Sequence, residues 1–211
     1  MKKWFLKLSF LCALTSTALV ANAQDWAFDV YLDNNKIGKH TFNFNNNLLT
    51  SRATFNVKVL FINAYKYDHS AKEQWKDGCL TSLDATTTEN KILTQVKADS
   101  STGTFKLMNP KSDEILANCV MTFAYWNPKI LEQSKLLNPQ NAEYLNINIE
   151  KLNDEQLLVK GKLTDTAHYK LKGAIDGKNK LNIELWYNLK NEWVGLKSIT
   201  PEGYNIIYKL R

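Results

Sequence analysis

Polar and apolar side chains alternate most regularly in the stretch YKYDHSAKEQW, residues 65–75. Successive side chains of a β-strand point to opposite faces, so this alternation predicts a strand with one wet face and one buried face. The even positions carry only polar residues, and we therefore expect the odd positions to face the protein interior. The odd positions hold Tyr65, Tyr67, His69, Ala71, Glu73 and Trp75.

The same two-residue period recurs along the chain, in about a dozen segments separated by turns rich in Asn, Asp or Gly. Consecutive hairpins of this kind predict an all-β, mainly antiparallel fold. Because so many strands would leave a long exposed edge, we expect a strongly curved sheet or incomplete barrel, with a two-sheet sandwich as the alternative. Near the C-terminus we predict separate strands at Gln156–Leu163 and His168–Lys172, with their lysines on a solvated face.

One helix interrupts the predicted strands. Asn127-Pro128 has the form of a helix start, with an Asn cap and proline at the first helical position. Asn138-Pro139 marks its end, so the spacing predicts a helix of about three turns. Its apolar face would hold Ile130, Leu131, Ser134 and Leu136 or Leu137. We expect this helix to lie against the concave side of the sheet.

The N-terminus has the pattern of a secretory signal. Met1–Lys3 supplies positive charge, Leu8–Val20 is a short apolar stretch, and Ala21–Ala23 is a small-x-small cleavage site. We therefore expect residues 1–23 to be removed on export, to the periplasm rather than the extracellular medium. Residues 24–211 are then predicted to form a single domain without a transmembrane segment.

The charge balance does not favour nucleic-acid binding. The chain has 27 basic and 21 acidic residues, and three of the lysines lie in the predicted leader, which leaves a net charge of +3. Phosphate recognition needs a concentrated basic face, whereas these lysines are dispersed.

Two cysteines, Cys79 and Cys119, remain after the leader is removed. In an oxidising compartment such an isolated pair is expected to form a disulfide. The alternative is a reactive thiol, which would require a neighbouring base and would leave the other cysteine unexplained. Neither cysteine has a metal-ligand partner at short spacing, so no metal site is predicted.

A polar cluster is predicted on the inward face of the strand at 65–75. His69 and Glu73 share this face about 13 Å apart, too far for contact but near enough to line one pocket. His40 is in phase with two phenylalanines of its own strand and should also face inward. Aromatic walls with a few polar groups are typical of small-molecule sites, although a buried hydrogen-bonded network would have the same pattern. The candidate ligand-binding residues here are Tyr65, Tyr67, His69, Glu73, Trp75 and His40.

The segment Cys119–Trp126 is a second candidate region, because it is apolar and aromatic without strict alternation. Its rings Phe123, Tyr125 and Trp126 could cover a cavity as a lid, seal the interior as a plug, or form a patch that meets a partner.

Common enzyme motifs fit this sequence poorly. It contains no Gly-x-Ser-x-Gly elbow, no His-Glu-x-x-His zinc motif and no glycine-rich phosphate loop. We therefore predict no cofactor and name no catalytic residue. His168 has the opposite phase to Tyr169 and is expected to be exposed among lysines.

Several strings together resemble an uncharacterised family of exported bacterial proteins, known as a domain of unknown function. The resemblance implies export and a β-rich fold but supplies no activity. More loosely, a curved sheet with a helix against it is similar to periplasmic lipoprotein carriers and other lipid-binding half-barrels, and a shared fold does not fix function. The strings are Trp26–Asp33, Ile37–His40, Gly78–Leu80, Cys119–Pro128, Leu136–Gln140 and Leu185–Tyr187.

Three functions are compatible with these features. The first is a non-enzymatic binder of an apolar or lipid-like ligand in the cell envelope. The second is an enzyme that uses His69 and Glu73, with or without His40, as acid and base. The third is an envelope interaction protein that docks through the segment Met121–Trp126.

Overall fold

A computed structural model describes residues 23–59, 62–100, 103–108, 113–117 and 119–211. The predicted signal segment lies outside the described residues, apart from Ala23. Strands dominate the described part of the chain. They are β1 Gln24–Leu32, β2 Asn35–Asn45, β3 Leu48–Val59, β4 Ile62–Lys76, β5 Cys79–Glu89, β6 Ile92–Asp99, β7 Phe105–Met108, β8 Asp113–Leu116, β9 Lys135–Leu137, β10 Tyr144–Lys151, β11 Glu155–Val159, β12 Lys162–Ile175, β13 Lys178–Asn188, β14 Trp193–Ile199 and β15 Asn205–Leu210.

All of these strands belong to one antiparallel sheet. Its order is β8-β7-β6-β5-β4-β3-β2-β1-β15-β14-β13-β12-β10-β9, and β11 pairs with β12 beside β10. The first and last strands are neighbours within the sheet, with Phe28 opposite Leu210. The sheet curves around its own apolar side chains but its edge strands β8 and β9 do not pair, which confirms the predicted incomplete barrel.

The predicted phase of β4 is correct. Tyr67, His69, Ala71, Glu73 and Trp75 are buried, while the even-numbered residues between them are exposed. The face that carries the buried residues is the concave face of the sheet. A large apolar cluster fills one end of it, and a smaller cluster occupies the other end.

The chain between the two edge strands crosses the concave face. We call residues 119–134 the closing segment. A disulfide joins Cys119 to Cys79 at the start of β5, as the cysteine count predicted. The adjacent Val120 forms an antiparallel bridge with Leu80, and Thr122 forms a parallel bridge with Leu137 on β9. The closing segment therefore connects the β5 side of the sheet to the β9 edge from within.

The predicted three-turn helix is wrong in length. The structure has a 3-10 helix at Pro128–Glu132, capped by the side chain of Asn127, which accepts a hydrogen bond from the Lys129 amide. Leu136 and Leu137 instead belong to β9, where pairing with β10 satisfies their backbone. Sheet pairing thus overrides the local helix signal. In the described part of the chain, no helix is long and apolar enough to cross a membrane.

The predicted strand at Gln156–Leu163 is also wrong, because the chain turns within it. Lys160 and Gly161 both have positive φ and form a tight turn between β11 and β12. The predicted strand at His168–Lys172 is the middle of the long β12. We call Glu155–Thr166 the outer hairpin, since it folds over the convex face and places Leu157 against Gly195 of β14.

We predict that the disulfide supplies much of the stability of this fold. Replacing Cys79 and Cys119 by serine should lower the free energy of unfolding by about 4 kcal/mol, the chain-entropy value for a loop of this length. Urea denaturation of both proteins measures the difference, and chemically reduced wild type should match the variant. Equal stability of oxidised wild type and variant would contradict this role.

Candidate ligand-binding site

A row of side chains crosses the concave face from β2 to β5. The register places His40 opposite Ala53, Ala53 opposite His69, and His69 opposite Thr87. Facing positions on neighbouring strands share one side of a sheet, so both imidazoles point inward with only a methyl side chain between them. All four residues are buried. The sequence predicted the orientation of each histidine, and the register unites them in one row.

Each imidazole has one side-chain partner. His69 Nδ1 lies 2.9 Å from the Thr87 hydroxyl, and His40 Nδ1 lies 3.3 Å from the hydroxyl of Tyr208 on β15. Burial lowers the pKa of His69 to about 4. Burial and, to a lesser extent, the nearby His69 lower the pKa of His40 to about 3. Both rings are therefore neutral at pH 7. His40 Nε2 is buried and has no hydrogen-bond partner among the described residues.

Tyrosine side chains lie next to the two histidines. The ring centroids of Tyr208 and His40 are 5.8 Å apart, and those of Tyr67 and His69 are 6.3 Å apart. The pKa values of Tyr67 and of Tyr125 in the closing segment are raised. Burial is the main cause, and the nearby phenol of Tyr208 is the second. These five residues, from β2, β4, β15 and the closing segment, form what we call the histidine–tyrosine cluster.

This cluster connects the two apolar clusters, and Tyr67 is itself part of the small one. His40 stacks on Phe42 of the large cluster, with centroids 4.0 Å apart, and meets Phe55 of the small cluster edge-on at 6.5 Å. Tyr208 packs against both. The polar atoms of the histidine–tyrosine cluster thus have apolar walls on two sides.

The concave face is exposed to solvent at the start of β6, two strands from Tyr67. Val96 and Ala98 on β6 are buried, yet Ile92, which lies on the same face of that strand, is 71 % exposed. Tyr65 is half-buried at this rim, and burial first, and then the nearby Glu89 carboxylate, raise the pKa of its phenol. A small molecule could approach the concave face from this side.

Glu73 lies in a separate hydrogen-bonded group. Its Oε2 atom accepts hydrogen bonds from the Thr122 hydroxyl at 3.1 Å and from Trp75 Nε1 at 3.2 Å. Burial raises the pKa of Glu73 to about 7, and the two hydrogen bonds partly oppose this rise. Because Thr122 belongs to the closing segment, the carboxyl group links that segment to β4.

The aromatic residues of the closing segment point into the molecule. Trp126 stacks on Phe44 at 4.3 Å and meets Trp75 edge-on at 5.4 Å. Phe123 packs on Tyr125, with centroids 6.1 Å apart. None of the three rings is among the exposed large apolar side chains of the described residues. The three half-buried rings therefore pack against other aromatic side chains of the interior.

Three partners of the site were not identified in the sequence. Thr87 and Thr122 are ordinary strand and loop residues by pattern, and Tyr208 lies 168 positions from His40. Alternation along β15 could have indicated the face of Tyr208, but only the pairing of β1 with β15 brings it to the histidines.

The prediction that His168 is exposed is wrong. Its side chain is only 12 % exposed, with Nδ1 3.1 Å from Glu155 and Nε2 3.2 Å from Glu184. The ring also stacks on Trp186 at 4.4 Å. The His168 side chain does point to the convex face, as its phase predicted, but the outer hairpin covers this part of that face. Among the described residues, no three His, Cys, Asp or Glu side chains are arranged to hold a metal ion.

The fold and its interior define a barrel-like all-β domain. The chain belongs to a family described as a domain of unknown function (DUF6134), whose model matches residues 28–211. Comparison with curated proteins gave no match. A crystal structure of a beta-barrel-like protein of domain of unknown function DUF1849 from Brucella abortus is similar, with a TM-score of 0.65 at 11 % identity over 91 % of this chain and 96 % of that one. This likeness supports the fold alone.

We predict that Glu73 makes the protein less stable as pH rises. Its folded pKa of about 7 exceeds the ordinary value of 4.5, so the folded state holds the extra proton between these values. The free energy of unfolding should fall across this interval, by up to about 3 kcal/mol from this group.

The variant E73Q retains an oxygen that can accept both hydrogen bonds but does not titrate. The buried histidines contribute the opposite slope in both proteins, so the difference between wild type and E73Q isolates Glu73. Urea denaturation across this pH interval measures it. Parallel pH profiles for the two proteins would contradict the prediction.

Proposed function

We propose that the protein binds a small apolar or amphipathic molecule on the open end of its concave face, at the histidine–tyrosine cluster. The observation that carries this proposal is His40 Nε2, a buried polar atom without a partner among the described residues. Leaving such a group unsatisfied costs about 1–3 kcal/mol, and a ligand that hydrogen-bonds to it would recover that energy. Apolar walls with a few convergent polar groups favour this class of ligand.

The charge state of the cluster favours a ligand whose polar group is uncharged. Both imidazoles are neutral at pH 7, and the tyrosine phenols keep their protons because burial raises their pKa values. An ionised head group would lose its hydration here without gaining an opposite charge. An alcohol, amide or ester group could instead exchange hydrogen bonds with the imidazole and phenol groups.

An acid–base enzyme is a weaker interpretation of the same residues. Glu73 and His69 belong to different hydrogen-bonded groups, and four residues of strand separate them by about 13 Å. Docking through Met121–Trp126 is also weaker, because those rings pack against the interior.

We further propose that the protein acts in the periplasm. The leader pattern at residues 1–23 and the disulfide between Cys79 and Cys119 support this location, since disulfides persist in oxidising compartments.

The proposal predicts a preference between two ligands with the same tail. Dodecanol should bind more tightly than dodecanoate, and both can be measured by displacement of Nile red fluorescence. The variant H40F keeps the ring packing but removes both imidazole nitrogens, the unpartnered Nε2 and the Nδ1 that contacts Tyr208. It should weaken dodecanol binding by about fivefold to tenfold, the value of one hydrogen bond.

The matched control is S70A, which alters an exposed residue on the opposite face of β4 and should bind as wild type does. Circular dichroism verifies that both variants fold. If wild type binds neither ligand nor the dye, and native mass spectrometry detects no co-purified molecule, the proposal is wrong.

A further inference from the structure

The first strand of the sheet begins at the residue that follows the predicted cleavage site. The small-x-small pattern at Ala21–Ala23 predicts a cut after Ala23, and β1 runs from Gln24 to Leu32. Ala23 itself lies outside regular secondary structure. The cleavage pattern and the start of the fold therefore coincide at one peptide bond. A cut there makes Gln24 the first residue of the mature protein, with no tail before the sheet.

Gln24 lies at a corner of the sheet. β1 pairs with β2 from Gln24 onward, with Phe44 opposite, whereas its pairing with β15 starts only at Phe28. Gln24 is exposed, and its side chain forms no hydrogen bond with another described residue. Its carboxamide can therefore rotate toward the backbone nitrogen of the same residue.

Removal of the leader turns this backbone nitrogen into a primary amine beside a carboxamide. The neutral amine can attack the side-chain Cδ atom of Gln24 and close a five-membered lactam. The bond from Cδ to Nε2 breaks, and Nε2 takes up the proton that the amine loses and leaves as ammonia. Because both groups belong to one residue, the step needs no second reactant. At pH 7 about a tenth of an α-amine with an ordinary pKa near 8 is uncharged and reactive.

We propose that the mature protein begins with a pyroglutamate formed from Gln24. The lactam ring fits the site, because Gln24 is exposed and lines a surface groove of about 330 Å³ together with Trp26. This inference rests on the proposed export, since the amine exists only after the leader has been removed. It is independent of what the concave face binds.

The modification would protect a strand inside the sheet. Aminopeptidases start at a free α-amine, which the lactam lacks. β1 lies between β2 and β15, and Trp26 near its start is 8 % exposed and belongs to the large apolar cluster. Trimming past Asp25 would remove this side chain from the core. In this fold the chain terminus is part of the sheet, so a blocked end guards the structure itself.

Mass spectrometry of the exported protein tests the proposal. The full chain with its leader is expressed in a bacterium, recovered from the periplasm and held at pH 7 before measurement. Its mass should equal that of residues 24–211 less one ammonia. Edman degradation should find a blocked N-terminus, and tandem mass spectrometry should place the loss of ammonia on Gln24.

The matched control is the variant Q24N. It keeps a carboxamide at the same position, but the side chain is one methylene shorter, and the equivalent attack would close a strained four-membered ring. This variant should retain its full mass and a free amine that Edman degradation detects. Circular dichroism verifies that it folds as wild type does.

Three outcomes would overturn the proposal. One is a mature protein that begins at Gln24 with its full mass and a free amine, which would leave the proposed export and ligand binding standing. Another is a mature N-terminus at any other residue, because no amine then forms at Gln24; a chain that retains its leader would contradict export as well. The third is an equal loss of ammonia in Q24N, which would place the reaction elsewhere in the chain.

Discussion

The two edge strands of the sheet, β8 and β9, are consecutive in the chain, and this constraint shapes the interior. The connection between them crosses the concave face and fills one end with Val120, Met121 and Ile130. The disulfide from Cys79 and the hydrogen bond from Thr122 to Glu73 fix its path. The histidine–tyrosine cluster occupies the rest of the concave face. The path of the closing segment therefore determines both which end is filled by apolar side chains and where the candidate site lies.

Burial on the concave face favours the uncharged form of side chains of different types. It lowers the pKa values of His40 and His69 and raises that of Glu73, and each shift favours the neutral form. On the convex face, His168 instead contacts two carboxylates, those of Glu155 and Glu184. The side of the sheet, rather than the residue type, therefore decides what a histidine does in this fold.

The sequence was sufficient where the structure depends on local period. The inward phase of β4 and of His40 follows from alternation alone, because the polar face of an antiparallel sheet remains in water. It was insufficient where distant segments meet. The outer hairpin covers His168. Leu136, predicted to be helical, pairs with β10 as part of a strand. Tyr208 lies at the site because β15 pairs with β1. Each of these outcomes depends on pairing across many residues, which a local pattern does not encode.

The pairing of β1 with β15 makes the last few residues of the chain structurally central. β15 bonds to β1 on one side and β14 on the other, and the Arg211 amide still donates to the Ala27 carbonyl. A premature stop codon that removed only this strand would therefore split the sheet into two halves instead of trimming its margin. For the same reason the two halves of the sheet cannot join until β15 has been synthesised, although β1 can already pair with β2.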